Sequence, residues 1–191
     1  TNLQEMAEYL PTVVNTQYIY LLGLAFFMIF VGLSFKIATA PFHMWAPDVY
    51  QGAPTPVTAF LSVVSKTAGF IILVRIVLVV YLSTPAGAAG LDAQTPLLVN
   101  MQIFMAVLAS ITMIIGNAVA LRQRNIKRLF AYSSIAHAGY LLVAFTALSP
   151  FMFDALWFYL GAYLFMTLGA FAIIQILTMK DDNEDISSFA G

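Results

Sequence analysis

The chain reads as an all-α, polytopic transmembrane helical bundle, a single membrane domain over residues 1–191 with five spans, one of them broken. Three observations predict this. Only 9% of its residues are charged while 61% are hydrophobic, whereas a soluble domain carries about 25% charged residues. Several apolar runs reach the ~20 residues that cross a bilayer as helix, too long for the ~10-residue strands of a membrane barrel. Two lysines, Lys36 and Lys66, sit inside apolar sequence and bracket a stretch, KIATAPFHMWAPDVYQGAPTPVTAFLSVVSK, too rich in proline, glycine and polar residues for an uninterrupted span.

Taken in order, residues 1–16 are polar, with Glu5 and Glu8, and Pro11 stops any helix there. The first span covers 17–35, with Tyr18 and Tyr20 at an interface level. Pro41 cannot donate to the Ile37 carbonyl and crowds it, so the helix should break between Lys36 and Ala40. Residues 41–53 then form a short polar helix or re-entrant piece, and Pro54 and Pro56 open the second span, 55–82. The loop 83–97 is the clearest interruption. Spans at 98–121, 129–147 and 151–179 follow, the last ending at Lys180 and the acidic run DDNED.

Arg122, Arg124, Lys127 and Arg128 all fall between spans three and four. The positive-inside rule makes that turn cytoplasmic. Alternation then puts the N-terminal and 83–97 loops outside and Lys180 inside. The chain begins in a polar loop without an initiator methionine and ends in another loop, DISSFAG, with no signal peptide visible, as a piece of a longer membrane protein would.

The chemistry rests on few groups. Lys66 lies roughly 11 residues into its span, ~16 Å along a helix and near the middle of a ~30 Å core. Burial favours the neutral amine over the ammonium, so a lysine at that depth can release and regain a proton, with Ser65 and Thr67 placed to hold it. The alternative is a lysine ion-paired to another span for packing alone. Counting from Gln17 puts Lys36 ~28 Å along its helix, near the inner surface. It reaches mid-depth only if the helix protrudes, tilts, or breaks with 41–53 completing the crossing. It is either a relay group at a helix break or an anchoring lysine.

His137, in AYSSIAHAGYLL, can relay a proton through its two nitrogens, with the serines and Tyr132 supplying a polar face, or can simply hydrogen-bond between helices. Lys36, Lys66 and His137 are the candidate proton-relay residues. His43 and Trp45 read as interface anchors, Asp48 as a cap or ion-pair partner, and Arg75 as snorkelling or paired. No cysteine is present, so the chain supplies no disulfide, haem-thiolate or iron–sulfur ligand. No phosphate-binding glycine loop, metal-ligand cluster or nucleophile–base pair appears, and no cofactor or metal is expected. A net charge of −1 argues against nucleic acid as a partner. What remains is proton or cation transfer.

At these residues the sequence resembles a known family. FKIATAPFHMWAPDVYQGAPTPVTAFLSVVSK, RNIKRLFAYSSIAHAGYLL and EDISSFAG are similar to the subunit N family of NADH-quinone oxidoreductase, respiratory complex I. The PFHMWAPDVYQGAPTPV run is specific: the sister antiporter-like subunits L and M carry a related PVHTWLPDAH-like run. The resemblance implies an antiporter-like fold of fourteen helices with two inverted repeats of five, of which this chain is a fragment covering helices seven to eleven. By position, Lys36 matches the lysine at the first broken helix, which pairs with a glutamate two helices earlier. Lys66 matches the central-axis lysine, and His137 a histidine of the polar axis.

The implied function is redox-driven proton pumping by a translocase subunit without its own redox centre. Quinone and NADH would be handled by other subunits, with antiporter-like subunit M and K/A/J-type subunits as neighbours. The implied location is a bacterial inner membrane, with the thylakoid as alternative. Two other functions remain open, a subunit of a multisubunit cation/proton antiporter and a structural membrane spacer.

Overall fold

The computed structural model describes residues 5, 8, 9, 19–82, 96–147, 151–181 and 183–189. Expectations about Pro11, Tyr18, the 83–95 loop and Pro150 lie outside the described residues. Seven α-helices follow one another: α1 (Ile19–Ile37), α2 (Trp45–Gly52), α3 (Thr55–Phe60), α4 (Lys66–Leu82), α5 (Pro96–Ala120), α6 (Ile126–Ala147) and α7 (Met152–Asp181). A π-helical turn, Leu61–Ser65, joins α3 to α4, and a 3-10 turn, Ile186–Phe189, follows α7. Among the described residues, five stretches are long and apolar enough to cross a membrane: Tyr20–Ile37, Thr55–Val79, Met101–Ala120, Ile126–Ala147 and Met152–Met179. The fold is the expected polytopic helical bundle.

Two features depart from the sequence reading for identifiable reasons. The helix expected from Leu129 begins at Ile126, because the Asn125 side chain accepts the Arg128 N–H at 3.1 Å and caps the first turn. The second span is not uniform. Its π-helical turn ends immediately before Lys66, and such single-turn bulges recur at functional sites. Nothing in LSVVS marks it, since no proline or glycine stands there.

Helices α5 and α6 form a closely packed antiparallel hairpin. A Cβ on Gly116 would lie 2.6 Å from the Ala136 backbone nitrogen, and one on Gly139 would lie 3.0 Å from the Met113 nitrogen. Bare backbone on both helices is what permits this approach, as in membrane helix pairs generally. An apolar core of α1, α4, α5, α6 and α7 residues includes Phe30, Phe70, Leu73, Met105, Leu142 and Phe145. A smaller cluster packs the second half of the broken helix onto α6 through Ala46, Tyr50, Ala131 and Ile135.

Several backbone polar groups freed at the break after α1 find partners. Ala38 has φ 58, a left-handed conformation that costs a non-glycine residue roughly 1–2 kcal/mol. The Thr39 N–H bonds the Ser34 carbonyl at 3.0 Å, and the Ala40 N–H bonds the Thr112 hydroxyl of α5 at 3.1 Å. The Trp45 indole N–H donates to the Phe35 carbonyl at 2.8 Å. Trp45 thereby closes the end of α1. In hydrocarbon each such group left open would cost several kcal/mol, so a broken helix needs these partners to exist.

Gly116→Leu should push α5 off the α6 backbone and destabilise the full-length protein by roughly 1–3 kcal/mol or more, measured by denaturant titration in detergent.

Candidate functional site: a buried lysine–serine–histidine cluster

Lys66 enters α4 straight after the π-helical turn and is 4% exposed. Its ammonium donates to the Ser134 carbonyl at 2.5 Å and to the Ser134 hydroxyl at 2.6 Å. Ser65 and Thr67, expected to hold it, do not: the partner comes from α6, and the Thr67 hydroxyl is buried without a hydrogen bond. The two ion pairs found among the described residues are Lys127–Glu184 and Arg128–Asp48. Lys66 therefore has no carboxylate partner among the described residues. A lysine ammonium has three donors, and Ser134 takes two.

Ser134 and His137 stand three residues apart on α6 and so share a face. Lys66 and His137 are close enough to interact electrostatically. The His137 Nδ1 lies 2.6 Å from the Tyr159 hydroxyl of α7. Tyr140 and Tyr163 complete an aromatic surround, with ring centroids 5.6 Å and 5.2 Å from the imidazole. The hydroxyls of Tyr50 and Tyr163 face Ser134 from α2 and α7. Both are buried without a completed hydrogen bond. Tyr132, expected beside His137, faces His43 instead, with ring centroids 6.5 Å apart.

Lys36 stands apart from this cluster. It is exposed on the outer face of α1's last turn and makes no hydrogen bond or ion pair with a described residue. Its stem passes Gly69 of α4, where an added Cβ would lie 3.6 Å from the Lys36 Cγ and collide with Ile37. Gly69 is one helical turn past Lys66 and near the midpoint of the 25-residue span Thr55–Val79. Counting along α1 alone misplaces Lys36 near the inner surface. The helix ends instead at the level of mid-span α4, and α2 continues towards the basic turn. There Asp48 meets the Arg128 guanidinium at 2.7 Å. Arg75 is exposed and unpaired among the described residues.

Sequence reasoning did not find Tyr159, Tyr163 or Tyr50. Their spacing along the chain is uninformative, and only the convergence of α2, α6 and α7 brings them to Ser134 and His137. Among the described residues no group of three metal-ligating side chains occurs.

The family model described as "NADH:quinone oxidoreductase/Mrp antiporter, TM" matches residues 1–191. The chain belongs to this family. Among similar relatives, NADH-quinone oxidoreductase subunit N of Anoxybacillus flavithermus is 59% identical over 191 residues, which is 100% of this chain and 37% of the relative. The chain thus spans little more than a third of the length of the curated relatives it matches. A chain in the structure of respiratory complex I from Thermus thermophilus with bound aureothin superposes with a TM-score of 0.62 and 40% identity, covering 80% of this chain and 30% of that one. A chain of the membrane-bound sulfane sulfur reductase, an archaeal respiratory membrane complex, gives a TM-score of 0.71 at 26% identity, covering 84% and 30%. Within the oxidoreductase/antiporter family, then, this chain carries a broken helix and a buried lysine on adjacent spans.

Ser134→Ala should remove one of the two Ser134 bonds to the Lys66 ammonium and cost roughly 1–3 kcal/mol of stability, read as a lower unfolding midpoint of the full-length protein in detergent.

Proposed function

We propose that this chain is a stretch of a proton-translocating subunit of bacterial NADH-quinone oxidoreductase, seated in the plasma membrane. Its neighbours would be antiporter-like subunit M and K/A/J-type subunits, with NADH oxidation and quinone reduction carried out elsewhere in the complex. The observation that carries the reading is Lys66, buried near mid-span, bonded among the described residues only to Ser134 and within electrostatic reach of His137.

The cluster has the parts a relay requires. The third Lys66 N–H is not spent on Ser134. Hydroxyls donate and accept, so Ser134, Tyr163 and Tyr159 can pass a proton by exchanging roles, and an imidazole takes it on one nitrogen while releasing it from the other. Among the described residues the Lys66 ammonium meets a serine and no carboxylate, which favours a relay over a lysine locked in an ion pair for packing.

Lys36 enters as a relay group at the break, on a face that the described helices leave open. The resemblance implies an acidic partner for Lys36 on an earlier helix. The two lysines' spans touch at Gly69, which supports proton passage between Lys36 and Lys66.

The family also contains subunits of cation/proton antiporters, and the family model covers both. Relatives named NADH-quinone oxidoreductase subunit N at 59%, 56% and 44% identity favour the oxidoreductase.

In the assembled complex reconstituted into vesicles, Lys66→Ala should lower proton pumping roughly tenfold or more at unchanged subunit content, a barrier increase of about 1.4 kcal/mol or more. Parent-like pumping in a normally assembled variant would leave the structural spacer as the better reading.

A further inference from the structure

Three segments meet at the end of the bundle where the basic turn lies: the end of α2, the α5–α6 turn, and the segment after α7. Backbone bonds join the last two, Ile126 N–H to the Glu184 carbonyl at 2.9 Å and Ile186 N–H to the Arg124 carbonyl at 2.8 Å. The Glu184 carboxylate is then divided. One oxygen accepts from the Asn125 amide at 3.0 Å, and the other meets the Lys127 ammonium at 2.5 Å. The same ammonium donates to the Ala53 carbonyl at 3.0 Å.

Lys127 is only 5% exposed, and it stands in the first turn of α6. A cation there opposes its own helix's dipole, whose N-terminal end is positive. Its favourable partners are elsewhere: a carboxylate, and the negative C-terminal end of α2 at Ala53. This half-helix has eight residues and gains little stability from its own hydrogen bonds. Besides the packing of Ala46 and Tyr50 on α6, it is tied at both ends, Trp45 to Phe35 at the break and Ala53 to Lys127 at the other. The Asp48–Arg128 pair adds a tie, but Asp48 is exposed and such pairs contribute little.

The position of α2 matters to the relay. Its Tyr50 is fully buried against α6, its backbone carbonyl accepts the Thr58 hydroxyl at 3.0 Å, and its phenol faces Ser134, the residue that holds Lys66. We propose that Lys127, held by Glu184, is a positioning residue that latches the second half of the broken helix through the Ala53 carbonyl and so keeps Tyr50 and Ser134 in register with Lys66. This rests on the proton-relay reading above. The latch lines a cleft of about 380 Å³ together with Pro54, Thr55, Gln175 and Thr178, so it stands at the boundary of the bundle rather than within its core.

The test uses the full-length subunit in the assembled complex, with Lys127→Met, Lys127→Arg, Glu184→Gln and, in parallel, Lys66→Ala. Two quantities are read: amide hydrogen exchange of residues 45–53 and the proton-to-electron ratio in vesicles. Lys127→Met should speed exchange across α2 roughly tenfold and lower the ratio several-fold, with Lys127→Arg restoring most of both. Parent-like exchange in Lys127→Met overturns the latch, whether or not the ratio falls, because a falling ratio alone would make Lys127 a carrier of protons rather than a holder of α2. If Lys127→Met does not assemble, Glu184→Gln is decided on the same two readouts. A parent-like ratio in Lys66→Ala would remove the relay reading, while the exchange of α2 would still decide the latch.

Discussion

A single ammonium in a low-dielectric interior sets the terms for much of this structure. The Lys66 Nζ is met by both oxygens of Ser134, and the elements around it arrange themselves to make that meeting possible. A π-helical turn leads directly into Lys66, α6 presents Ser134 and His137 on one face, and α2 and α7 supply tyrosines. Isolated charges are strongly disfavoured in hydrocarbon, so a buried lysine without a described carboxylate partner constrains its surroundings more than an apolar residue would. The polar groups around Ser134 are few and specific, and they lie against an otherwise apolar core.

The broken helix answers a related problem. Interrupting a span frees backbone groups that lipid cannot satisfy. Here Thr112, Trp45 and the backbone of Ser34 and Phe35 take them up, and Ala38 adopts a left-handed conformation to turn the chain. The result is a helix end at mid-span depth with Lys36 on it, touching α4 at Gly69. Close approach at glycine does two jobs in this bundle: it sets the depth of Lys36 against α4, and it holds α5 against α6. Strain at Ala38 and the π-helical turn before Lys66 both sit beside the two lysines, which is where stored strain is expected if the region changes state.

The architecture was legible because it depends on quantities that accumulate along the chain. Twenty apolar residues in a row have one physical solution in a bilayer, and a proline four residues after Ile37 removes a specific hydrogen bond. The exceptional positions of Lys36 and Lys66 were equally visible, since charge in apolar sequence needs no partner to be noticed. The π-helical turn was not legible, because LSVVS has ordinary helical composition and the bulge answers to packing around it. Nor were the partners of the cluster: Ser65 and Thr67 neighbour Lys66 in sequence, yet they leave it to Ser134, sixty-eight residues away.

The sequence by itself determined the helical class, the break near Lys36, the basic turn and the identity of the titratable groups. These follow from local hydrogen bonding and from the cost of charge in hydrocarbon. Only the tertiary structure decided the depth of Lys36, the pairing of Lys66 with Ser134, the tyrosines around His137 and the Lys127–Glu184 tie to Ala53. Each of these depends on how far one helix has slid along another, and no periodicity along a single strand of chain encodes that distance.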